Sequence, residues 1–324
     1  MVGNEVPGGG GPAELTGAEL TGAELTGAEL TAGLRAGYDA AAGDWTEGPG
    51  PMYAPLARAL VAAAPVPLAG RLVLDLGAGG GVAGQAALAA GARQVVGVDL
   101  SEGMLQHSPG TPRGSGWRPV AADAVALPFR DGCFGLVLAA FCLNHLDCLD
   151  AGLAEARRVG EAIAASTFAP GWTHPAKDAA DGALRSFGYQ PPAWYAALAP
   201  GSRASDPEVL AGQAAAAGFT RVRVNTTAVP TGLATPAQLA SWRLGMAHHA
   251  PFLRSLDAAG RAAVRRAAER AVAAVTETGP LVVSMVVLTA RLNRASLTGP
   301  AQAQPAAAGR PPSRRSASRS SPSA

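Results

Sequence analysis

Three aspartates and a cluster of glycines are the residues whose spacing could do chemistry. Asp75 lies in "LVLDLGAGGG" (72–81), two residues before Gly77. Asp99 lies in "VVGVDLS", 22 residues after Gly77, and Asp123 in "AADAVALPF". Glycines stand at 77, 79, 80, 81 and 84, and Gly79, Gly81 and Gly84 satisfy G-x-G-x-x-G. That match is weak by itself in a chain with 41 glycines. A glycine turn after a strand usually brings backbone N–H groups to a phosphate. A carboxylate at the same place repels phosphate and suits a cationic amino group. An acid at Asp99 can accept both hydroxyls of a ribose, and Asp123 can accept from the exocyclic amine of adenine. The implied ligand carries adenosine and an ammonium but no phosphate. S-adenosylmethionine fits that description. A nicotinamide dinucleotide explains the glycines and Asp99 but leaves Asp75 without a use.

These residues need a sheet to position them. Residues 71–76 form a continuous apolar run of strand length, the pattern of a strand covered on both faces. An Ala-rich helix over 82–90, closed by Gly91, follows. "RQVVGVDL" is a second strand, and Ser101 is a fitting N-cap for the helix "SEGMLQH". "WRPVAAD", "CFGLVLAAF" and "EAIAASTF" read as the third, fourth and fifth strands, with a helix over 149–158. The helix "DPEVLAGQAAAAGF" has Asp206 as cap, Pro207 at its first position and Gly218 at its end. "TRVRVNTTAV" and residues 281–291 are the last two strands. This alternation predicts an α/β domain with a mostly parallel sheet and helices on both faces, binding its ligand at the carboxyl ends of the strands. Two insertions, 169–205 and 231–277, break the rhythm. The first holds Trp172, Phe187, Tyr189, Trp194 and Tyr195 of the chain's 16 aromatics, which suggests a substrate lid.

The ends differ from this middle. "AELTG" repeats from residue 13 onward, and a leucine every five residues advances about 140° per step, leaving no apolar stripe on a helix. The segment 1–33 is therefore expected to be a disordered tail, as is the Ala/Pro/Ser/Arg-rich segment 294–324. The folded unit is expected over 34–293. Of 26 basic residues only Lys177 is a lysine, and the formal charge of +2 leaves no basic excess for nucleic acid. The three cysteines, Cys133, Cys142 and Cys148, suit neither a disulfide framework nor a zinc site. Cys142 and Cys148 are expected to be buried thiols, and no metal is expected. No leader is evident, and "LVVSMVVLTA" is too short to span a membrane, so the expectation is a soluble, cytoplasmic protein without a membrane partner.

The stretch from Val73 to about Phe168 resembles the class I S-adenosylmethionine-dependent methyltransferases, in particular the small-molecule group (methyltransferase type 11) related to ubiquinone and menaquinone methylation. "VLDLGAGGG", "VGVDLSEGML" and "AADAVALPFRDGCFGLVLAAFCLNHL" correspond to motifs of that family, in order and at fitting spacings. The resemblance implies a Rossmann-like, mostly parallel seven-stranded sheet, with S-adenosyl-L-methionine as cofactor. It implies that Asp75, Gly77, Ala78, Gly79 and Gly81 hold the amino-acid end and Asp99 the ribose. It implies Asp123 and Ala124 at adenine, Leu100, Ser101 and Met104 packed near it, and Phe141 beside the methionine part. "LRAGYDAAAGDW" resembles the family's N-terminal cofactor lid. Two departures stand out. Gly135 replaces an aspartate, and "RRVGEAIAASTF" lacks a Pro-Gly-Gly turn before the fifth strand, which could distort the sheet edge or lower activity.

Methyl transfer is an in-line displacement at an already activated carbon, for which alignment and water exclusion can suffice. A base is needed only for a protonated acceptor. His145, just past the fourth strand, is the first candidate, though a structural or orienting role fits it better. His174 and His248 on the insertions follow, and His107 and His249 are expected at the surface. No catalytic residue is assigned. The competing functions are a nicotinamide-dependent reductase and a non-catalytic S-adenosylmethionine-binding protein.

Overall fold

Seven strands, among the described residues, form one sheet in the order β3-β2-β1-β4-β5-β7-β6. The structure is a computed structural model that describes residues 25–108, 116–198, 203–275 and 280–293. The strands are β1 (Leu72–Leu76), β2 (Gln94–Asp99), β3 (Trp117–Ala121), β4 (Leu136–Ala140), β5 (Ala162–Phe168), β6 (Thr220–Pro230) and β7 (Val282–Arg291). The first five pair in parallel, and β7 runs antiparallel to both β5 and β6. This is a Rossmann-like, mostly parallel α/β sheet with helices on both faces, as the alternation of strands and helices predicts. The sequence order reverses between β1 and β4, where open α/β sheets bind ligands.

The apolar runs are continuous because both faces of the central strands are covered. Val73, Leu136, Leu138 and Ala164 enter one core, while Leu74, Val137, Ala139 and Ile163 enter the opposite one. The period of two in each strand therefore feeds two cores. The helices are α1 (Gly27–Trp45), α2 (Gly50–Ala62), α3 (Val82–Ala89), α4 (Glu102–Gln106), α5 (Leu149–Val159), α6 (Pro175–Ser186), α7 (Ala193–Leu198), α8 (Pro207–Ala216), α9 (Pro236–Leu244), α10 (Ala250–Ser255) and α11 (Ala258–Val275). Helices α2, α6, α9 and α11 cover the first core, and α5 and α8 cover the second. The expected caps hold: Ser101 accepts from the Met104 N–H at 3.0 Å, and Asp206 from those of Glu208 and Val209.

The boundary expected at residue 34 is too late. Helix α1 begins at Gly27, at the junction of the third and last copies of the repeat, where Thr26 and Glu29 form a reciprocal capping box. The repeat ends there, and the leucine spacing shortens from five to four. Leu30, Leu34 and Tyr38 then share one face and join a small core with Trp45 and Trp194. The earlier repeat copies and the segment 294–324 lie outside the described residues. Removing residues 1–33 deletes the capping box and Leu30. Melting should fall by a few degrees relative to a chain lacking only residues 1–24, since a lost cap costs about 1 kcal/mol and a large domain shifts roughly 2–4 °C per kcal/mol. Paired thermal melts check this.

Both departures from the family pattern are accommodated by packing. The connection from α5 to β5 is Gly160 and Glu161 alone. Any Cβ at Gly160 would lie 2.5 Å from Val137 Cγ2 and 3.1 Å from the Ala156 carbonyl oxygen. The sheet is undisturbed beside it: β5 holds four register pairs with β4 and seven with β7. At Gly135, a Cβ would meet the Arg71 guanidinium at 2.8 Å. Arg71 occupies that space and pairs with Glu161 at 3.2 Å, so one arginine ties β1 to the shortened turn. The Leu292 N–H closes the same corner by donating to the Glu161 carbonyl at 2.8 Å.

Candidate functional site

The carboxyl ends of β1, β2 and β4 meet under α1 and α2 around a cavity of about 110 Å³. Asp75, Gly77, Ala78 and Gly79 line it from the β1 turn, and Asp99, Leu100 and Ser101 from the β2 end. Ala124 and Phe141 line it from the turns after β3 and β4. Thus nine of the expected residues surround one space. Gly81, Met104 and Asp123 do not line it. Gly81 is the left-handed N-cap residue of α3. Met104 is buried beneath the loop, its Cε 3.3 Å from where a Gly79 Cβ would stand. Asp123 lines an adjoining cleft with Leu34 and Leu100, and its carboxylate accepts from the Val125 N–H.

The glycine turn is shaped by what lies behind it. Gly77 has φ 65°, and a Cβ there would collide with Cys142 Sγ at 2.5 Å. Phe141 also sits in the left-handed region, with φ 54°, where a bulky side chain is strained. Its N–H donates to the Ser166 carbonyl at 2.9 Å, which holds the turn at the end of β4. Cys142 is buried as expected, whereas Cys148 is exposed, because it stands at the solvent-facing start of α5 rather than under it.

Asp75 is 1% exposed. Its Oδ2 accepts from the Gly84 N–H at 2.7 Å, in the first turn of α3, and its Oδ1 is buried without a partner. Burial raises its pKa to about 7, against the partial relief of the Gly84 hydrogen bond. Asp99 uses both oxygens on backbone: Oδ2 accepts from Gly79 at 2.7 Å and Oδ1 from Ser101 at 2.9 Å. Burial also raises Asp99 above the ordinary carboxylate range. Each Asp99 oxygen retains acceptor capacity for a ligand hydroxyl. The donor set suits an adenosyl amino acid: an unpartnered buried carboxylate for its cation, and a second carboxylate for its ribose.

Motif reading gave no individual roles to the residues from α1 and α2, although the lead "LRAGYDAAAGDW" is where four of them fall. Leu34, Arg35, Tyr38 and Trp45 close the cavity from α1, and Tyr53 and Ala57 from α2. Helix α1 is fastened at three places. Asp39 Oδ1 accepts from Ser101 Oγ at 2.6 Å and from the Gly103 N–H at 3.1 Å. Tyr38 Oη is hydrogen-bonded to His145 Nε2 at 3.2 Å. The Trp194 indole lies against Gly33 and Gly37, where Cβ atoms would stand 2.7 Å from it. Tyr53 and the fastenings are not visible in the motifs, because they depend on which helices the fold brings together.

A second cavity, about 630 Å³, adjoins the first at Tyr53 and His145, which line both. Trp172, Trp194, Tyr195 and Lys177 from the first insertion face Trp242, Arg243 and His248 from the second. Of the first insertion's other aromatics, Phe187 is on the outer surface, and Tyr189 is buried against His249 and Phe252. The histidines separate clearly. His145 stands at the junction, and burial lowers its pKa to about 4, so it is neutral at physiological pH. His174 accepts from the Ala176 N–H as cap of α6. His107 is exposed. His249, expected at the surface, is fully buried, because its Nδ1 bonds the Arg243 carbonyl at 2.8 Å and the insertion folds over it. No group of residues among those described could hold a metal ion, and no described helix is long and apolar enough to cross a membrane.

Residues 73–161 match the family model described as a methyltransferase domain. The chain is 41% identical over 93 residues to a demethylmenaquinone methyltransferase of Thermobifida fusca, a match covering 28% of this chain and 39% of that protein. It is 42% identical over 93 residues to a ubiquinone/menaquinone biosynthesis C-methyltransferase of Acidiphilium cryptum, covering 28% and 37%. The chain thus spans about two fifths of the length of the curated relatives it matches. Among solved structures it is similar to phosphoethanolamine N-methyltransferase 2 of Haemonchus contortus in complex with S-adenosyl-L-methionine. That likeness has a TM-score of 0.46 at 16% identity and covers 73% of this chain and 52% of that one.

Proposed function

We propose that this chain, which carries a class I S-adenosylmethionine-dependent methyltransferase domain, transfers a methyl group to a small molecule in the cytoplasm. The observation that carries the reading is Asp75: a buried carboxylate with an unpartnered oxygen beside a glycine turn, where a phosphate would be repelled. A nicotinamide dinucleotide has no use for it.

In this reading Asp75 and the Gly77–Gly79 turn hold the ligand's ammonium end. Asp99 takes the ribose hydroxyls, Leu100 and Ala124 flank the adenine, and Phe141 packs on the methionine side. When bound, S-adenosylmethionine supplies a methyl group activated by a positive sulfonium. The protein's contribution is alignment and exclusion of water. Helix α1 closes one side of the cavity, and the rings of Tyr38, Trp45, Tyr53 and Phe141 form a chain of contacts 5.3–5.7 Å apart at its mouth. Electron-rich ring faces favour a cation there. His145 Nε2 and Tyr38 Oη stand where the two cavities meet. Burial keeps the Tyr38 hydroxyl protonated. The pair orients an acceptor hydroxyl or amine.

The second cavity holds the acceptor, and the two insertions form its lid. Calorimetry should show S-adenosylhomocysteine binding and no NADH binding; the reverse would end the methyltransferase reading. Trp172→Ala should slow turnover while S-adenosylhomocysteine affinity stays within about threefold, since Trp172 lines only the second cavity. Trp194→Ala is expected to disturb both functions, because Trp194 also braces α1 at Gly33 and Gly37.

A further inference from the structure

Resting on that reading, we propose that the second cavity takes a planar aromatic acid as methyl acceptor, with its acid group at Lys177. The walls are aromatic and ordered. Phe168 and Trp172 stack at 5.0 Å with 10° between their planes, and Trp242 continues the wall 6.4 Å away. Tyr195 stacks on His248 at 3.7 Å on another side. Such walls select a flat apolar body.

The charge is one-sided. Lys177, Arg203 and Arg243 line the cavity against one acid, Asp206. Two of these charges are engaged. Arg243 is bound to Asp181 through two hydrogen bonds of 2.6 Å, and Asp206 caps α8. Lys177 has no ion-pair partner among the described residues. It is the chain's one lysine, and it stands in the first turn of α6, where the helix macrodipole disfavours a cation. The helix gains nothing from it there, whereas an anion in the cavity would gain from both. His248 adds no charge, because burial and its cationic neighbours keep it neutral.

Polar atoms also await partners. Asn144 Oδ1, Trp242 Nε1 and His248 Nε2 are buried without hydrogen bonds, and all three side chains line this cavity. Hydroxyl or carbonyl substituents on the ring would satisfy them, while a bare hydrocarbon would leave them unpaired at a cost. A cationic acceptor would be repelled by Lys177 and Arg203.

The test is calorimetry on the full chain saturated with S-adenosylhomocysteine, using 2-naphthoate, 2-naphthol and 2-naphthylmethylammonium as probes. We expect 2-naphthoate to bind about tenfold tighter than 2-naphthol, and the ammonium not to bind. Lys177→Met should weaken naphthoate about tenfold and leave naphthol and S-adenosylhomocysteine unchanged; Lys177→Arg should restore most of the loss. Equal binding of the three probes, preference for naphthol or the ammonium, or an unaffected Lys177→Met variant would overturn the assignment. No binding by any probe, with S-adenosylhomocysteine still bound, would overturn it and leave the methyltransferase reading standing. Failure of S-adenosylhomocysteine itself to bind would remove both.

Discussion

Asp99→Ala is expected to weaken S-adenosylhomocysteine binding roughly 30- to 700-fold, about 2–4 kcal/mol, because two hydroxyls lose a charged acceptor. The geometry adds a second cost. Asp99 is the acceptor for the Gly79 and Ser101 N–H groups, so it sets the glycine turn as well as facing the ligand. Alanine leaves both donors unpaired in a buried place, and thermal stability should fall together with affinity. Asp99→Asn separates the two contributions. Its amide oxygen can keep one backbone bond but cannot serve two hydroxyls with full charge, so affinity should fall further than stability. Calorimetry and melting curves on both variants check this. An affinity within threefold of the parent for Asp99→Ala would show that the ribose does not lie at Asp99.

Much of this site is legible in the sequence because it is local. The turn after β1, the end of β2 and the turns after β3 and β4 carry their residues at strand ends, and the sheet order brings those ends together. Nine of the twelve expected residues therefore line one cavity. Gly81 and Met104 stand outside the lining for one physical reason: both sit in the motif but support the loop from beneath, and motif position does not separate lining from support. The start of the domain was misplaced for a different reason. A five-residue leucine period argues against a helix, and that argument holds only until the spacing changes at Leu30 and Leu34. His249 and Tyr53 were not readable at all, because their surroundings come from elements distant in sequence. The short Gly160–Glu161 connection looked like a defect. Its compensation is the Arg71 side chain, which fills the space an aspartate at position 135 would occupy.

Asp75 should make ligand affinity depend on pH in a direction that identifies the ligand. Its carboxyl titrates near pH 7 in the free protein because burial opposes the charge. S-adenosylhomocysteine carries an ammonium, which stays charged through this range beside the ligand's own carboxylate, and it requires the ionised form. Affinity should therefore rise about tenfold from pH 6 to pH 8 and level off above, following the ionised fraction of a group with pKa about 7. Asp75→Asn should abolish this rise, and at pH 8 it should bind more weakly than the parent. The Asn side chain can still accept from the Gly84 N–H through its oxygen, so the turn should survive the change. Stability should move the opposite way. The folded pKa lies above the ordinary value of 3.8, so the free protein loses stability as pH rises from about 4 through 7. Asp75→Asn should accordingly be more stable than the parent at pH 8, with the advantage shrinking toward pH 5. A phosphate-bearing ligand would show the inverse affinity pattern, binding better at low pH and to the Asn variant. A flat pH profile for the parent, or tighter S-adenosylhomocysteine binding by Asp75→Asn, would show that no cation is held at this carboxylate, and the reading of the glycine turn would fall with it.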